Sequence, residues 1–276
     1  MQERHKDRNL YFSEQEYTTK KYVIPFINDF LSINPDTAVL EIGCGEGGNL
    51  KPFLDLGCQC VGLDLSQKKI ETGNQIFENH PNNSNLELFV EDIYNVEVVQ
   101  ERREEKRREI SRFDLIILRD VIEHIPNQEK FMEHIKQFLK PDGKIFFAFP
   151  PWHNPFGGHQ QICRSKISLI PFIHLLPKCL YRVILKRFEG DNILPETNST
   201  IVDELLDIKK TGITIEKFRK ILKQAGYKIN KEILYFINPN YEIKFKLKPR
   251  QLFRILGLIP YIRNFYTTAV YCIVGL

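Results

Sequence analysis

The sequence predicts an α/β fold built on a doubly wound, seven-stranded, Rossmann-like sheet. Over residues 38–150, apolar stretches of strand length alternate with amphipathic stretches of helix length, and the first strand is followed by a glycine-rich turn. Such alternation is typical of βαβ units, whose parallel strands are joined by right-handed crossovers. A helix and two β-rich runs near the C-terminus, the last being "TTAVYCIVGL", complete the seven strands.

The first elements are a helix and a buried strand. Residues 14–32 have apolar side chains at roughly helical spacing, interrupted at Pro25, and residues 1–37 are predicted to form an N-terminal helical cap. "TAVLEIG" then predicts a strand covered on both faces, because nearly all of its residues are apolar. A helix is expected at residues 49–57, ended by Gly57.

The rest of the chain follows the same rhythm, with two interruptions. Further strands are predicted at "CQCVGLDLS", "LELFVED", "FDLIILRD" and "KIFFAFP", with helices at "QKKIETGNQIFENH" and "NQEKFMEHIKQFLKPDG". A helix at "TIEKFRKILKQAGYKI" and a strand at "NKEILYFIN" come later. We therefore expect one domain over residues 1–276, with a cofactor-binding core at 38–150. The first insertion is at 151–213, and residues 214–276 carry the second, at 238–266.

Composition narrows the possible functions. The 276 residues are 42% hydrophobic and 27% charged, and the net charge of +4 is too small to indicate nucleic-acid binding. The mixed charge run at residues 101–109 is expected to form a solvated helix face. Six cysteines without C-x-x-C spacing, no secretory leader and no apolar run long enough to cross a membrane predict a cytoplasmic protein with reduced thiols.

The glycine-rich turn "EIGCGEGG" fits two nucleotide-binding patterns. Gly43-x-Gly45-x-x-Gly48 matches the dinucleotide fingerprint, whereas Glu41-x-Gly43-x-Gly45-x-Gly47 matches an S-adenosylmethionine loop. In both patterns the glycines let backbone N–H groups approach a ligand, and Asp64 at the end of the second strand can bind a ribose.

Two features favour the sulfonium cofactor. Glu41 stands where a dinucleotide would bring its pyrophosphate, which a carboxylate repels, whereas S-adenosylmethionine brings an ammonium and a sulfonium. Asp92 and Ile93 follow the third strand, and a carboxylate beside an apolar side chain suits an adenine ring.

The ordered motifs "VLEIGCGEG", "VGLDLS", "VEDI", "FDLIILRDVIEHIPN" and "LKPDGKIFFAFP" resemble the class I S-adenosylmethionine-dependent methyltransferases. More narrowly, they are similar to the small-molecule and lipid methyltransferases related to ubiquinone-biosynthesis enzymes. The resemblance covers roughly three quarters of the chain. It implies five parallel strands plus a C-terminal pair whose last strand is antiparallel.

The resemblance also implies site residues. Around S-adenosylmethionine, which leaves as S-adenosylhomocysteine, the cofactor-binding residues would be Glu41, Gly43, Cys44, Gly45, Gly47, Asp64, Leu65, Asp92, Ile93, Arg119, Asp120 and Tyr17. Glu41 and the glycines would shape the methionine end of the pocket, and Arg119 and Asp120 would line it near the transferred methyl. Tyr17 would close over the cofactor, and the side chain of Cys44 is interpreted as a small buried apolar group.

A general base is needed only when the acceptor atom carries a proton. The candidates are His124, after the fourth strand, and His159, in the loop after the fifth strand. Because His153, His159 and Cys163 lack metal-ligand spacing, no metal is expected.

The two insertions bear on the acceptor. Residues 163–188 carry six basic and no acidic side chains among many apolar ones, and residues 238–266 repeat this character. Three arrangements would explain the apolar and basic character of these segments. They could form a helical lid whose apolar side packs on the sheet, cover a lipid-like acceptor, or make peripheral contact with a membrane. Nucleic acid is not expected as a partner.

The leading hypothesis is methyl transfer to oxygen or carbon of a small or lipid-like acceptor. The alternatives are a nicotinamide-dependent oxidoreductase, which rests on the dinucleotide pattern, and a non-catalytic methyltransferase-like binding subunit.

Overall fold

The architecture is an α/β sheet covered by helices, seen in a computed structural model that describes residues 8–98, 108–193 and 200–276. The strands are β1 (Ala38–Ile42), β2 (Gln59–Asp64), β3 (Leu86–Val90), β4 (Val96–Val98), β5 (Arg108–Ile110), β6 (Phe113–Arg119), β7 (Leu139–Phe149), β8 (Lys228–Ile237), β9 (Arg250–Gln251) and β10 (Ala269–Gly275). Eight of them form one sheet in the order β3-β2-β1-β6-β7-β10-β8-β9, and β4 and β5 pair separately.

The predicted fold class is confirmed. Strands β3, β2, β1, β6 and β7 are parallel, and β10 runs antiparallel between β7 and β8. The sheet has one strand more than predicted, because the two residues of β9 pair with β8. The chain runs outward from β1 on both sides, so the carboxyl ends of β1, β2 and β6 meet at a topological switch point.

The helices are α1 (Arg8–Thr18), α2 (Ile24–Asn28), α3 (Lys51–Asp55), α4 (Gln67–Phe77), α5 (Gln128–Ile135), α6 (Lys178–Glu189), α7 (Ile201–Thr211), α8 (Ile215–Gln224), α9 (Asn240–Phe245), α10 (Arg254–Leu258) and α11 (Ile262–Tyr266). The expected break at Pro25 takes the form of a π-helical turn, Thr19–Val23, and Pro25 then lies in the first turn of α2. The wider π-helical turn just before the proline accommodates a ring and a missing N–H that would interrupt a regular α-helix.

One local prediction was wrong, and a second was wrong for the two of its residues that the structure describes. The Pro-Asp-Gly motif at residues 141–143 does not stop a helix. It lies inside β7, where the pairing jumps from Leu139 opposite Phe113 to Lys144 opposite Leu115, so the extra residues form an irregularity in the strand. The charge run at 101–109 lies mostly outside the described residues, but Arg108 and Glu109 begin β5 and are not helical.

Strand β1 shows why the sheet is stable. Leu40 and Ile42 belong to the apolar cluster on one face of the sheet, and Val39 belongs to the cluster on the other face. The first insertion has a third cluster of its own, in which Tyr181 and Leu185 of α6 pack with residues of α7. The six cysteines are free thiols. Within the three described ranges, none of the helices combines the length and apolar character needed to span a bilayer.

Candidate active site

The turn after β1 is held tightly against β2 and β6. The N–H groups of Gly43 and Cys44 both donate to the carbonyl of Leu63, at 2.7 and 3.0 Å. Gly43 has φ +74°, and a Cβ atom there would lie 2.5 Å from Cγ2 of Val121. This position therefore needs glycine for its backbone conformation and for the close approach of the segment after β6.

Gly45 has a different reason to be glycine. Its φ is +57°, but a Cβ atom would meet only Lys69, at 3.9 Å, so the space beside it is open. Its N–H donates to Oδ2 of Asp64 at 2.9 Å. Gly47, at φ +83°, closes the turn through an N–H bond to the carbonyl of Cys44. The loop therefore presents open backbone next to the carboxylate that ends β2.

Asp64, at the end of β2, connects the glycine loop to the segment that follows β2. Its Oδ1 accepts from the N–H of Ser66 at 2.9 Å, so each carboxylate oxygen has one backbone donor and can accept a further hydrogen bond. Leu65 beside it leaves 73% of its surface exposed. Cys44 is only 1% exposed, and its Sγ would lie 2.7 Å from a Cβ atom at Gly62, so its side chain is part of the core.

Glu41 is fully buried at the carboxyl end of β1. Its Oε1 accepts a 2.6 Å hydrogen bond from the side-chain amide of Asn49, whereas its Oε2 has no hydrogen-bond partner among the described residues. The carbonyl oxygen of Asn49 accepts from Arg119 at 2.6 Å and from the hydroxyl of Thr19 at 3.0 Å. Arg119 thus acts on Glu41 through Asn49.

Burial raises the pKa of Glu41 from 4.5 to about 8, against the opposing effects of the Asn49 hydrogen bond and the Arg119 charge. A buried carboxylate with one oxygen unbonded is costly unless it is protonated or a cation faces it. Oε2 of Glu41 therefore suits a ligand that brings a positive charge to the end of β1.

The two predicted adenine-binding residues after β3, Asp92 and Ile93, point their side chains in different directions. Asp92 caps a short helical turn by accepting from the N–H of Tyr94 at 3.0 Å. Ile93 is 5% exposed and belongs to the core, and its carbonyl contacts the ring of His134 at 3.0 Å. The Asp92 carboxylate lies near the surface, while the Ile93 side chain faces inward.

Two other predicted residues have clear surroundings. Asp120 is exposed at the end of β6 and has φ +55°, a left-handed conformation that costs energy in a non-glycine residue and often marks functional sites. Tyr17 donates to Oε2 of Glu242, which lies on α9, at 3.0 Å. The N-terminal helix is thereby joined to the second insertion.

The two candidate histidines lie together. The rings of His124 and His159 have centroids 4.8 Å apart and an interplanar angle of 87°. Nε2 of His159 lies 3.5 Å from Oε1 of Glu123, and Nδ1 of His124 lies 3.5 Å from Oε1 of Glu204. His159 is held at φ +56° by the tight loop after β7.

Glu123 is 2% exposed, and neither of its oxygens has a hydrogen bond within the described part of the chain. Burial raises its pKa well above the ordinary range, the positive charge of His124 opposes this, and the charge of Asp120 adds to it. A buried carboxyl group whose pKa is raised in this way can share one proton with a neighbouring imidazole, so this pair is suited to holding a proton.

The residues that could share a metal ion differ from those considered in the sequence, which were His153, His159 and Cys163. Donor atoms of Glu123, His124 and His159 lie within 4.8 Å of one another, a spacing that could hold a metal ion. His153 instead stacks on Phe265, with ring centroids 5.1 Å apart, and Cys163 is buried in the cluster of the first insertion. The expectation that no metal is used stays a prediction.

The sequence matches the family model of the methyltransferase domain over residues 15–165, more than half of the chain. The chain belongs to the methyltransferase domain family. The match spans β1, β2, β3, β6 and β7, so it contains the glycine loop, Asp64 and the His124 segment.

Individual proteins agree with this assignment. A ubiquinone biosynthesis O-methyltransferase of Bartonella tribocorum is 27% identical over 198 residues, which are 68% of this chain and 71% of that protein. A sterol 4-C-methyltransferase of Caenorhabditis elegans is 28% identical over 43% of this chain and 33% of its own length. Among solved structures, a putative sarcosine dimethylglycine methyltransferase from Galdieria sulphuraria shares the fold, with a TM-score of 0.56, 12% identity, and 94% and 85% of the two chains covered.

This methyltransferase is an enzyme of the S-adenosylmethionine-dependent class. The buried Glu41 oxygen that has no partner in the described parts of the chain and the open backbone at Gly45 fit that cofactor, because they offer a partner for its cation and room for its close approach. The family decides against both the nicotinamide-dependent oxidoreductase and the non-catalytic binding subunit.

Several site residues were missed from the sequence. Asn49 and Thr19 support Glu41, Glu123 faces His159, and Glu204 faces His124. Glu123 could have been noticed because it immediately precedes His124 just beyond a predicted strand. Glu204 and Thr19 gave no signal, since only the fold brings their distant segments to the site.

Proposed function

We propose that this methyltransferase transfers a methyl group to a hydroxyl oxygen of a small, lipid-like acceptor, with His159 as the general base. The observation that carries the proposal is the pair formed by Nε2 of His159 and the buried carboxylate of Glu123, 3.5 Å apart. S-adenosylmethionine supplies the methyl group on a sulfonium, so the leaving group needs no protein acid.

A hydroxyl acceptor explains why a base would be present. The oxygen must lose its proton as it becomes bonded to carbon, and a histidine near the acceptor can take that proton at neutral pH. His159 would take it, and the neighbouring Glu123 carboxyl group would share the proton with the ring. The role of Glu123 is to position His159, because its buried carboxyl group lies 3.5 Å from Nε2 of the ring.

Other residues are proposed to bind and orient the cofactor. Oε2 of Glu41 would face its ammonium, Asp64 would accept from its ribose hydroxyls, and Asp92 would bind the adenine edge. Leu65, which is largely exposed, would cover the adenine ring. Ile93 would contribute mainly through its backbone, because its side chain belongs to the core.

The loop after β7 would form the acceptor side of the pocket. Trp152 is anchored by an N–H bond of 2.7 Å to the carbonyl of Ile213, and His174 contacts the Trp152 carbonyl at 2.7 Å. A Cβ atom at Gly158 would lie 2.2 Å from Cβ of His174, so this turn packs closely on the later part of the same insertion. An aromatic wall made rigid in this way suits an apolar ring or chain.

Two relatives support the acceptor class by their names, since one acts in ubiquinone biosynthesis and the other methylates a sterol. Oxygen is favoured over carbon as the methylated atom because the histidine–carboxylate pair offers a place for a hydroxyl proton.

The test uses labelled S-adenosylmethionine with an alkylated catechol as the acceptor, and a long-chain primary amine as the comparison. We expect transfer to the catechol oxygen, with a pH–rate profile whose acidic limb reports His159. His159→Gln should lower kcat by about 10²- to 10⁴-fold, the usual contribution of a general base, and should remove that limb. Cofactor binding, followed by the fluorescence of Trp152, the single tryptophan, should change little.

His124→Gln is the matched control, because its ring lies beside His159 but faces Glu204. If His124→Gln removes the acidic limb and His159→Gln does not, His159 is not the base. Transfer to the amine alone would contradict O-methylation.

A further inference from the structure

The two insertions leave a large apolar surface uncovered. In the first insertion Leu169 is 74% exposed and Val183 is 64% exposed. In the second, Ile255 is 78% exposed and Leu258 is 70% exposed. Single exposed apolar side chains are ordinary, but such a concentration in two segments marks an interaction site.

The two segments meet. The ring of Phe172, from the first insertion, lies 6.2 Å from the ring of Phe265 in α11, and both are more than a third exposed. Helix α10 packs on α11, which brings Ile255 and Leu258 to the same region. The exposed apolar side chains of the two segments, which meet at Phe172 and Phe265, are together called the docking face: Leu169, Ile170, Phe172, Leu180, Val183, Ile255, Leu258, Tyr261, Ile262 and Phe265.

Helix α6 shows the pattern most clearly. Its buried residues Tyr181, Leu185 and Glu189 follow one another at intervals of four, so they occupy a single narrow stripe. The opposite side carries Leu180 and Val183, both exposed, together with basic residues. A helix with an exposed face that is both apolar and basic is typical of the lipid–water boundary.

The exposed charged side chains of residues 163–188 and 238–266 are all basic. The exposed basic residues of the two segments are Arg164, Lys166, Lys178, Arg182, Lys186, Arg187, Lys246, Lys248, Arg250 and Arg254. Residues 163–188 and 238–266 both lie within the described part of the chain, and no exposed side chain of either range is acidic, whereas Asp191, Asp203 and Asp207 are exposed elsewhere in the first insertion. The second segment's acidic residue, Glu242, is partly buried and bonded to Lys21.

We propose that the docking face binds the surface of an anionic lipid bilayer. Apolar side chains enter the boundary between head groups and acyl chains, and lysines and arginines contact lipid phosphates. A second copy of the chain fits less well, because a symmetric contact would bring the basic residues against themselves. The face adjoins the acceptor side of the site, since Phe265 stacks on His153, the neighbour of Trp152.

This inference concerns a membrane contact that does not depend on methyl transfer, so it is tested without an acceptor. Cys179 on α6 is exposed while the other five cysteines are buried, which allows an environment-sensitive dye to be placed on the native chain. We expect a blue shift on adding phosphatidylglycerol vesicles, little change with phosphatidylcholine vesicles, and reversal at high salt.

Vesicle co-sedimentation then measures how much each residue contributes to partitioning onto the bilayer. Leu169→Ser and Ile255→Ser should each weaken partitioning by about tenfold, because each removes an apolar side chain from the membrane boundary. Lys186→Gln and Arg187→Gln should each weaken it by about fivefold. The matched controls are Leu56→Ser, an apolar residue 46% exposed elsewhere, and Lys210→Gln on α7, and both should bind as the parent does.

Equal binding to both kinds of vesicle, or unchanged partitioning in the docking-face variants, would overturn the proposal. So would a dimer seen by light scattering that Ile255→Ser abolishes, because the face would then bind a second copy. Cofactor binding by each variant, followed at Trp152, shows that the variant is folded, so failure here is separable from failure of the proposed methyl transfer.

Discussion

The amide of Asn49 donates a 2.6 Å hydrogen bond to one oxygen of the buried Glu41 carboxyl, and the other oxygen has no hydrogen-bond partner among the described residues. This asymmetry leaves one oxygen of a buried acid without a hydrogen bond at the end of β1, beside the glycine loop that we propose binds the cofactor. The protein without ligand keeps this group protonated at neutral pH, because its pKa is raised to about 8.

Cofactor binding should therefore release a proton from Glu41. The ammonium of the ligand stabilises the carboxylate, so below about pH 8 the affinity should fall by up to tenfold for each unit of pH. Calorimetry of S-adenosylhomocysteine binding at pH 6 to 7, in buffers of different ionisation enthalpy, counts the released proton. Glu41→Gln should bind more weakly and release none; an equal release from that variant would refute the role of Glu41.

The same shift predicts how stability depends on pH. The folded protein holds the Glu41 proton up to about pH 8, whereas the unfolded chain loses it near 4.5. The unfolded state therefore binds fewer protons in this window, and the contribution of Glu41 to the free energy of unfolding falls as pH rises through it. Urea unfolding of Glu41→Gln across this range should show a flatter profile than the parent protein.

Gly43→Ala should destabilise the protein for two reasons, and a second glycine separates them. Gly43 and Gly226 share φ +74°, but a Cβ atom at Gly43 would lie 2.5 Å from Val121, whereas at Gly226 nothing lies within 4 Å. Gly226→Ala measures backbone strain alone, about 1–2 kcal/mol. Gly43→Ala should cost a further ~1–3 kcal/mol from overpacking. Equal free energies of unfolding for the two variants would show that the Val121 contact is unimportant.

Glu242 should hold the N-terminal helix over the core. Its carboxylate accepts from Tyr17, from Lys21 at 2.8 Å and from Tyr22, and these bonds lower its pKa to about 2. In Glu242→Gln we expect faster amide hydrogen exchange in residues 17–24. Asp207→Asn, which breaks an exposed ion pair with Lys210, is the control and should leave this exchange unchanged. Identical exchange in both variants would mean that Glu242 does not secure the helix.

Removing metal ions should leave methyl transfer unchanged. Glu123, His124 and His159 have donor atoms close enough to share an ion, so the prediction needs a direct check. The protein is dialysed against a chelator, and its metal content and methyl-transfer rate are measured before and after. A lower rate that a divalent cation restores would show that these residues bind a metal and would replace the proposed base mechanism.

The sequence predicted the strands and the glycine loop because their signals are local. A run such as "AVLEI" is apolar for burial on both sheet faces, and Gly43, Gly45 and Asp64 lie beside strand ends that the alternation of elements had already located. Strand β9 was not predicted because its two residues are too few to show the alternation of apolar and polar side chains that marks a strand. The Pro-Asp-Gly irregularity in β7 did so because the same motif also ends helices.

The histidine cluster could be predicted only in part. The sequence predicts His124 and His159 separately, from their positions after two strands, and the fold brings the centroids of their rings to 4.8 Å from each other. Their carboxylate partners depend on packing between distant segments, since Glu204 lies on α7, 80 residues beyond His124. Such contacts leave no periodic or local signature in a single sequence.

The most direct test of the account is calorimetric titration of the protein with S-adenosylhomocysteine, compared with Asp64→Asn and with a nicotinamide dinucleotide. We expect one molecule bound per chain, binding at least tenfold weaker in Asp64→Asn because an acceptor oxygen for the ribose is lost, and no heat from the dinucleotide. Binding of the dinucleotide without binding of S-adenosylhomocysteine would contradict the assignment of this loop to the methyl-donor cofactor.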